Sequence, residues 1–416
     1  MTNIKNVGPQ GMISGALLAS FTLFALSFYA LAFYPEQVRK VFYTTGYFVV
    51  LLMIVFFKKM EAPKENKILA SSVALFALSI LVWSLFYKNH GAFKDVYYSY
   101  EASGRILLFS SLILFALSNF KFYLPAKPFY LLLIAGGFCV NAYAIYQGAM
   151  TSRPRVELAF DRATMAAYIM TLIDLFLIYA VLQLPKKWSL ILLAPAVLIS
   201  FGGIVYTETR AAILAYPILV FLQLCFHRGI NKKLIFAFSG ICVAIIAVTI
   251  VIFHTELNQR LNDLNNDIRR YEKQDSNSSI GARFVMFETG LSSGLKAPLG
   301  ESAEARSEHI KQQIAITPAL SGAAAYLDVH MHNELIDNFS LRGIWGVAAL
   351  LLFYCALLFT SWRSRNTLLF VITLSVMVYG LSDVLFFSRE GTIIVSLAVI
   401  LAVILEKPEH NLIKNN

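Results

Sequence analysis

Long apolar runs separated by short polar segments make up most of this chain. About twelve of these runs approach the roughly 20 residues that a helix needs to cross the ~30 Å hydrocarbon core of a membrane. They lie near residues 12–34, 41–57, 68–87, 105–120, 127–148, 163–184, 187–206, 210–226, 233–254, 342–361, 366–386 and 391–405. The pattern predicts an all-α polytopic membrane protein with about 12 transmembrane helices. Several runs are short or contain Gly or Pro, so the number could differ by one or two.

A polar segment at residues 255–342 is the longest interruption of this pattern. Apolar residues in it recur at helical spacing between polar ones, and the Ser276–Ser279 run is a stop and cap signal. The segment therefore contains four predicted helices, near residues 257–271, 280–295, 301–314 and 332–341. Gly343 follows the last of them, and the small-residue stretch 317–327 carries no clear pattern.

Composition and charge placement give an orientation. The 416 residues are 58% hydrophobic and 14% charged, with a mean hydropathy of +0.64, which excludes a water-soluble globular fold. With the N-terminus inside, the cytoplasmic segments and tails carry 16 basic and 4 acidic residues, whereas the 255–342 segment carries 9 basic and 12 acidic ones. Because basic residues concentrate in cytoplasmic loops, the polar segment is predicted to face outward.

This orientation divides the chain into three parts. Residues 1–254 form transmembrane helices 1–9, residues 255–342 an outward-facing (periplasmic) loop domain, and residues 343–416 helices 10–12 with a cytoplasmic tail. The net charge of +10 reflects topology, since no basic stripe typical of nucleic-acid binding is present. All four cysteines lie in apolar runs without CxxC spacing, and no nucleotide-binding or DxD motif occurs, so no cofactor is predicted.

Two arginines at predicted helix starts are candidate anion ligands. Arg210 opens the run 210–226, and Arg283 lies in the first turn of a capped helix, next to Gly281. An arginine at the positive end of a helix dipole is favoured when an anion is bound there, so both positions fit a phosphate site. Alternatively, Arg210 reaches the lipid headgroups or pairs with Glu208, and Arg283 is a solvated surface residue.

The His330-Met331-His332 sequence has two structural interpretations. In an extended segment both histidines would point the same way and could bind a metal together with Glu334; in a helix they would diverge. We favour a helix that begins near His332. The helix dipole would then favour a neutral imidazole at His332, the state in which it can accept a proton from a sugar hydroxyl. A purely structural histidine remains an alternative.

Further charged residues are weaker candidates. Asp383 and Arg389 flank the short outward loop between the last two runs, where ionisable residues are either functional or form an ion pair that pins the hairpin. Asp174 lies within an apolar run and is expected to face the helix bundle. Arg260 on the amphipathic helix is mainly a solvated residue, although it could reach a headgroup.

Four motifs along the chain resemble the enterobacterial O-antigen ligases, within the O-antigen ligase and polymerase family. They are TETRA at 207–211, GARFVMFETGL at 281–291, VHMHNE at 329–334 and GLSDV at 380–384. Their order and spacing agree along nearly the whole chain. The resemblance implies a GT-C-like glycosyltransferase architecture in the bacterial inner membrane, with an active site that faces the periplasm.

The resemblance also implies substrates and site residues. The donor would be undecaprenyl-diphosphate-linked O-antigen, and the acceptor would be a sugar hydroxyl of lipid A-core. The transfer would be metal-independent and inverting, and membrane lipids would surround the protein. The family's required residues fall on Arg210, Arg283 and His332, which would be catalytic. Substrate-binding residues would be Arg260, His330, Asn333, Asp383 and Arg389.

A mechanism follows as a hypothesis: the arginines bind the diphosphate, His332 is the general base, and Asn333 orients its imidazole. The closest alternative is an O-antigen polymerase, which uses the same donor but a lipid-linked glycan as acceptor. A lipid-linked oligosaccharide flippase or transporter is less favoured, because Asp174 is the one clear deep charge and no inverted repeat is found. The sequence leaves a homo-oligomer open.

Overall fold

A computed structural model describes residues 9–60, 64–89, 91–151, 155–227 and 254–406, with a few isolated positions between 240 and 251. These residues form helices and no strands. The first eight are α1 (Pro9–Ala30), α2 (Pro35–Val55), α3 (Lys64–Tyr87), α4 (Lys94–Asn119), α5 (Ala126–Met150), α6 (Ala163–Leu182), α7 (Lys186–Tyr206) and α8 (Arg210–Phe226). They are followed by α9 (His254–Glu272), α10 (Ser279–Lys296), α11 (Ala303–Ile316), α12 (Glu334–Ser364), α13 (Thr367–Gly380) and α14 (Arg389–Leu405).

Eight helices of the described chain, α1 to α7 and α12, are long and apolar enough to cross a membrane. Helices α8 and α13 are also apolar but have only 17 and 14 residues. These findings establish an all-helical, multi-pass membrane protein. The predicted run 233–254 falls almost entirely outside the described residues, so the total of twelve spans stays a prediction.

Helix α6 is the centre of the bundle. Almost all of its side chains are buried, and α5, α7, α8, α13 and α14 pack around it. Asp174 on α6 faces the bundle as expected, and its Oδ1 accepts a hydrogen bond of 2.5 Å from Nδ2 of Asn141. Because α6 begins just after Arg162, the buried helix fixes the position of that arginine at its N-terminal end.

Helix α4 begins at Lys94, about three turns before the run predicted at residues 105–120. The expectation was wrong here because these first turns are amphipathic rather than apolar. They bear Tyr97 and Tyr100, whose hydroxyls contact carboxylates at Glu304 and Asp337 in the polar segment. The extension of α4 is therefore the surface on which the polar segment rests.

The polar segment has its own small core. Helices α9, α10 and α11 occupy three of the four stretches predicted to be helical, and a 3-10 helix at Pro318–Tyr326 fills the stretch that carried no clear pattern. Its buried apolar residues come from α10, α11, the 3-10 helix and the histidine segment, and they are Ala282, Val285, Met286, Ile310, Leu320, Ala323 and Met331. Met331 thus anchors the histidine segment in this core.

Trp83 ties this segment to the bundle. Its indole Nε1 donates a hydrogen bond of 2.8 Å to the carbonyl oxygen of Glu301, and its ring stacks on Tyr97. Trp83 is only 5% exposed, so its ring packs within the protein. The polar segment is therefore attached to α3 and α4 by buried, directional contacts.

Helix α12 bends at Gly343, where the backbone adopts φ +62° and ψ −152°. The short helix predicted at residues 332–341 begins at Glu334 in the structure. It meets the predicted run 342–361 at this kink. The N–H of Ile344 is satisfied by Pro298 O at 2.9 Å. A side chain at position 343 would place its Cβ 2.2 Å from that oxygen, so both the conformation and the contact require glycine.

Candidate active site

The two histidines lie in a non-helical turn between the 3-10 helix and α12. His332 has a positive φ of 47°, a conformation that L-residues seldom adopt. The expectation that α12 begins at His332 was therefore wrong: Asn333 is the N-cap, and its Oδ1 accepts hydrogen bonds from Leu335 N at 3.0 Å and Ile336 N at 3.1 Å. Because of this turn, the rings of His330 and His332 converge, with centroids 4.4 Å apart.

Asp383 is the group on which both histidines converge. Its Oδ1 lies 3.3 Å from Nδ1 of His332 and 3.6 Å from Nε2 of His330. Burial raises the pKa of Asp383, but contacts with the two imidazoles and with the Val384 N–H outweigh it and hold the pKa well below its usual range. Asp383 is thus a fixed negative charge between the histidines, and no ion pair with Arg389 is found among the described residues.

His330 is the more deeply buried of the two. Burial lowers its pKa to about 4, so its ring is neutral near pH 7. Its Nδ1 accepts a hydrogen bond of 3.2 Å from the His332 backbone N–H, which leaves the ring hydrogen on Nε2. That Nε2 faces Asp383 and lies 3.5 Å from Nη1 of Arg162, so His330 has no free basic nitrogen.

His332 presents the opposite arrangement. Its Nδ1 lies against Asp383, and its ring packs edge-on to Tyr326 with centroids 5.3 Å apart. A carboxylate at Nδ1 favours the tautomer whose hydrogen is on that atom and whose lone pair is on Nε2. Of the two histidines, His332 is therefore the one equipped to accept a proton.

The same three side chains could hold a metal ion. One donor atom each from His330, His332 and Asp383 lies within 4.8 Å of the others. The metal interpretation of the sequence had named Glu334 as the third ligand, but Glu334 lies in a different environment, where its Oε2 accepts from Phe386 N at 3.4 Å. Two imidazoles and one carboxylate are a donor set that zinc accepts.

Arg210 begins α8 as expected. Its Nη1 lies 3.6 Å from Oδ2 of Asp267 on α9, and this pair replaces the expected partner Glu208 as the described ion-pair contact of Arg210. The turn before α8 is held by Arg155, whose Nε donates to Thr207 O at 2.9 Å. Arg210 therefore joins the end of the bundle to the first helix of the polar segment.

Arg283 lies in the first turn of α10. The start of this helix is capped by Ser278, whose side-chain oxygen accepts a hydrogen bond from Gly281 N at 3.1 Å. Among the described residues, no hydrogen-bond or ion-pair partner is found for this half-buried guanidinium. The charges of Arg283 and Asp383 both act on the hydroxyl of Tyr168, which is 3.2 Å from Ser382 Oγ. Arg283 and the loop that carries Asp383 are thus both near enough to Tyr168 to influence its hydroxyl.

Close packing fixes α10 against α12. A Cβ on Gly290 would lie 2.6 Å from Cγ2 of Ile336, and one on Gly294 would lie 2.3 Å from Cδ1 of Phe339. These glycines let the helix that bears Arg283 approach the helix that follows the histidines. The arginine and the histidine turn are consequently positioned by one rigid contact.

The other predicted substrate-binding residues have different surroundings. The side chain of Asn333 bonds to backbone groups: it caps α12, and its Nδ2 donates to Leu381 O at 3.1 Å. Asn333 therefore holds the histidine turn against the Asp383 loop, and it does not orient an imidazole as expected. Arg389 begins α14 and lines a cavity that His330 and Asp383 also line. Arg260 lies on α9, but its side chain is outside the described part of the chain.

Sequence reasoning missed a buried cluster behind the histidines. Arg306 and Asp337, both fully buried, pair at 3.1 Å. Asp337 Oδ1 also accepts from Met331 N at 3.0 Å, and Arg306 Nη2 donates to Val329 O at 2.9 Å. The pair therefore grips the backbone on both sides of His330. Arg306 lies in a helix of mixed charge, so no sequence pattern distinguishes it from a solvated residue.

Comparison with known proteins relates this geometry to a family. Residues 195–351 match the family model described as O-Antigen ligase. The sequence is also 28% identical to the O-antigen ligase of Escherichia coli (strain K12) over 414 residues, which are 98% of each chain. Residues 195–351 therefore carry an O-antigen ligase domain, and the chain is similar to an O-antigen ligase along nearly its whole length. An uncharacterized protein of Haemophilus influenzae is 28% identical over 180 residues, or 41% of this chain and 43% of its own length.

These matches confirm the resemblance drawn from the four motifs, and the O-antigen ligases are a family of glycosyl-transfer enzymes. The matched region includes Arg210, Arg283 and both histidines, whereas Asp383 lies beyond it. The carboxylate at the centre of the histidine cluster thus comes from outside the matched segment.

Proposed function

We propose that this protein is an O-antigen ligase that transfers O-polysaccharide from undecaprenyl diphosphate to a sugar hydroxyl of lipid A-core. The observation that carries the proposal is the convergence of His332 on Asp383, in a site whose neighbouring helix start bears Arg283. A proton acceptor and a fixed cation in one region are what a glycosyl transfer from a diphosphate donor requires. Lipid-linked donors make nucleotides unnecessary, which agrees with the absence of nucleotide motifs from the sequence.

In the proposed step, the acceptor oxygen attacks the anomeric carbon of the donor sugar. The bond from that carbon to the diphosphate oxygen breaks, and undecaprenyl diphosphate leaves with the electron pair. The hydroxyl proton passes to Nε2 of His332, and Asp383 stabilises the imidazolium that forms. A single displacement of this kind inverts the configuration at the anomeric carbon.

Arg283 and Arg210 are proposed to bind the diphosphate. A guanidinium offers a planar set of donors that matches phosphate oxygens, and each of these arginines stands at a helix start, where N–H groups also favour an anion. The contact of Arg210 with Asp267 is long for an ion pair, so a phosphate can compete for this arginine. Two fixed cations neutralise charge on the leaving group, and for this reason we propose that transfer needs no metal ion.

The proposed location is the inner membrane, with the site open to the periplasm. Residues 255–342 would be a periplasmic loop domain, and residues 1–254 and 343–416 the two membrane parts. The support is the charge asymmetry of the sequence, which places basic residues in the opposite set of loops. Both substrates carry lipid tails, so the site would open laterally to membrane lipids.

Transfer by the purified protein tests the proposal. The reaction would contain undecaprenyl-diphosphate-linked O-antigen, lipid A-core and EDTA, and the product would be read on a gel. We expect product from the wild type and none from His332→Ala. Growth of lipid-linked repeats with no lipid A-core product would instead identify a polymerase, and loss of product with EDTA, restored by zinc, would assign the His330–His332–Asp383 cluster to a metal.

A further inference from the structure

A cavity of about 400 Å³ lies beside His330 and Asp383 and takes no part in the steps described above. Its other walls come from the start of α2, from the segment before α6 and from the start of α14. This volume is within the range of about 300–1,000 Å³ that is typical of small-molecule sites. Neither Arg210 nor Arg283 lines it. The cavity is therefore distinct from the positions of the two proposed diphosphate arginines.

The charge of the cavity walls does not suit a diphosphate. The ionisable wall residues comprise four acids and two arginines: Glu36, Asp161, Asp383, Glu390, Arg162 and Arg389. Glu36 is also paired with Arg39 at 2.6 Å, so one negative charge remains even when Arg39 is included. An anionic group would be repelled here, and a neutral, hydroxyl-rich one would not.

The walls combine carboxylates with aromatic rings. Phe160 and Phe387 both line the cavity, and the ring of Phe387 packs against His330 with centroids 4.9 Å apart. Sugar hydroxyls can donate hydrogen bonds to ionised carboxylates, each of which has two acceptor oxygens. The apolar C–H face of a pyranose can pack on an aromatic ring, whose face carries partial negative charge. The carboxylates and the aromatic rings can therefore bind the polar and the apolar parts of a sugar, respectively.

We propose that this cavity binds uncharged sugar units of the acceptor glycan. The proposal rests on the ligase function proposed above and adds the subsite to it. Asp383 forms part of the cavity wall and also contacts Nδ1 of His332 at 3.3 Å. A sugar bound in the cavity therefore presents its hydroxyls at the edge of the cluster that removes the proton. The donor diphosphate approaches from the arginines and the acceptor sugar from the cavity.

Charge-neutral and cavity-filling variants test this assignment. In Asp161→Asn and Glu390→Gln, the KM for lipid A-core should rise about tenfold to 100-fold, because each loses a charged hydrogen-bond acceptor, while the KM for the lipid-linked donor stays the same. Ala159→Trp should block the cavity from its exposed wall and lower acceptor use without changing donor KM. Matched controls are Glu308→Gln and Ala315→Trp, on exposed positions of α11, which should leave both constants unchanged.

A binding measurement separates the subsite from turnover. Core oligosaccharide freed of lipid A would be titrated into His332→Ala protein in nanodiscs, with and without Asp161→Asn. Binding that weakens with Asp161→Asn supports the cavity, whereas unchanged binding and unchanged acceptor KM overturn it. A raised donor KM would make the cavity a donor subsite and overturn it as well. Wild-type protein that makes no lipid A-core product at all would refute the ligase function instead.

Discussion

Replacement of Asp383 by Asn is the sharpest test of the proposed base. The amide keeps the shape of the side chain but removes the negative charge that lies 3.3 Å from Nδ1 of His332. At that distance two unit charges interact by about 1 kcal/mol in water and about 5 kcal/mol at an effective dielectric constant near 20. Asp383 is 6% exposed, so the larger figure is the better guide.

The stabilisation of the imidazolium that forms during transfer sets the expected rate loss. About 3–4 kcal/mol of lost transition-state stabilisation corresponds to a decrease in kcat of roughly 100-fold to 1,000-fold. The amide can also turn its N–H₂ group toward Nδ1, which would favour the wrong tautomer of His332 and act in the same direction. The KM for the donor should change little, because the diphosphate is proposed to bind to Arg210 and Arg283 instead.

Steady-state transfer with purified Asp383→Asn protein measures this effect, and thermal unfolding shows whether the variant is folded. Asp174→Asn is a matched control: it makes the same chemical change at a buried carboxylate far along α6, and its kcat should stay near that of the wild type. Because the pKa of Asp383 is held low, the carboxylate is charged throughout pH 5–8, and any pH dependence of the wild type in that window belongs to another group. A folded Asp383→Asn enzyme with kcat within about threefold of the wild type would refute the dyad.

Three further outcomes are expected. The pKa of His330 is about 4 in the folded protein and about 6.5 in the unfolded chain, so the unfolded chain takes up a proton first as the pH falls. The free energy of unfolding should therefore decline by up to about 3 kcal/mol between pH 6.5 and pH 4. His330→Asn should weaken this decline, which thermal melts at several pH values would measure. Gly343→Ala should destabilise the protein by about 1–3 kcal/mol, seen as a lower melting temperature, since its Cβ would overlap Pro298 O. Arg306→Met should lower the free energy of unfolding by about 3–5 kcal/mol, because it leaves the Asp337 carboxylate buried and unpaired. The double variant Arg306→Met with Asp337→Asn should recover much of that loss, because the amide is neutral and its oxygen still accepts from Met331 N; an equal loss in both proteins would contradict the reasoning.

The helices could be predicted because their cause is local. A run such as residues 163–184 is apolar throughout, and membrane-length apolarity alone predicts the helix that the structure has at Ala163–Leu182. The start of α4 could not be found in this way. Its first turns are stabilised by contacts of Tyr97 and Tyr100 with residues more than 200 positions later, which no local pattern reveals.

The site shows the same division. The helix start at Arg210 follows from the beginning of an apolar run, and the helix whose first turn holds Arg283 follows from the cap signal at Ser276–Ser279. The meeting of His332 with Asp383 depends instead on a left-handed turn at a non-glycine residue and on the tertiary placement of a distant hairpin. Neither the turn nor the placement of the hairpin can be predicted from the spacing of residues near the histidines. For that reason the prediction of a helix beginning at His332 was wrong.

The position of Asp383 in the chain also bears on biogenesis. The hairpin that carries it lies between α13 and α14, so it is among the last parts of the chain to leave the ribosome. Arg210, Arg283 and His332 are all synthesised earlier, yet the carboxylate proposed to orient the imidazole arrives only when this hairpin inserts. A nascent or truncated chain can therefore expose arginines to a lipid diphosphate but lacks the completed dyad. Under the proposed mechanism, competence for transfer is thereby tied to the end of membrane insertion.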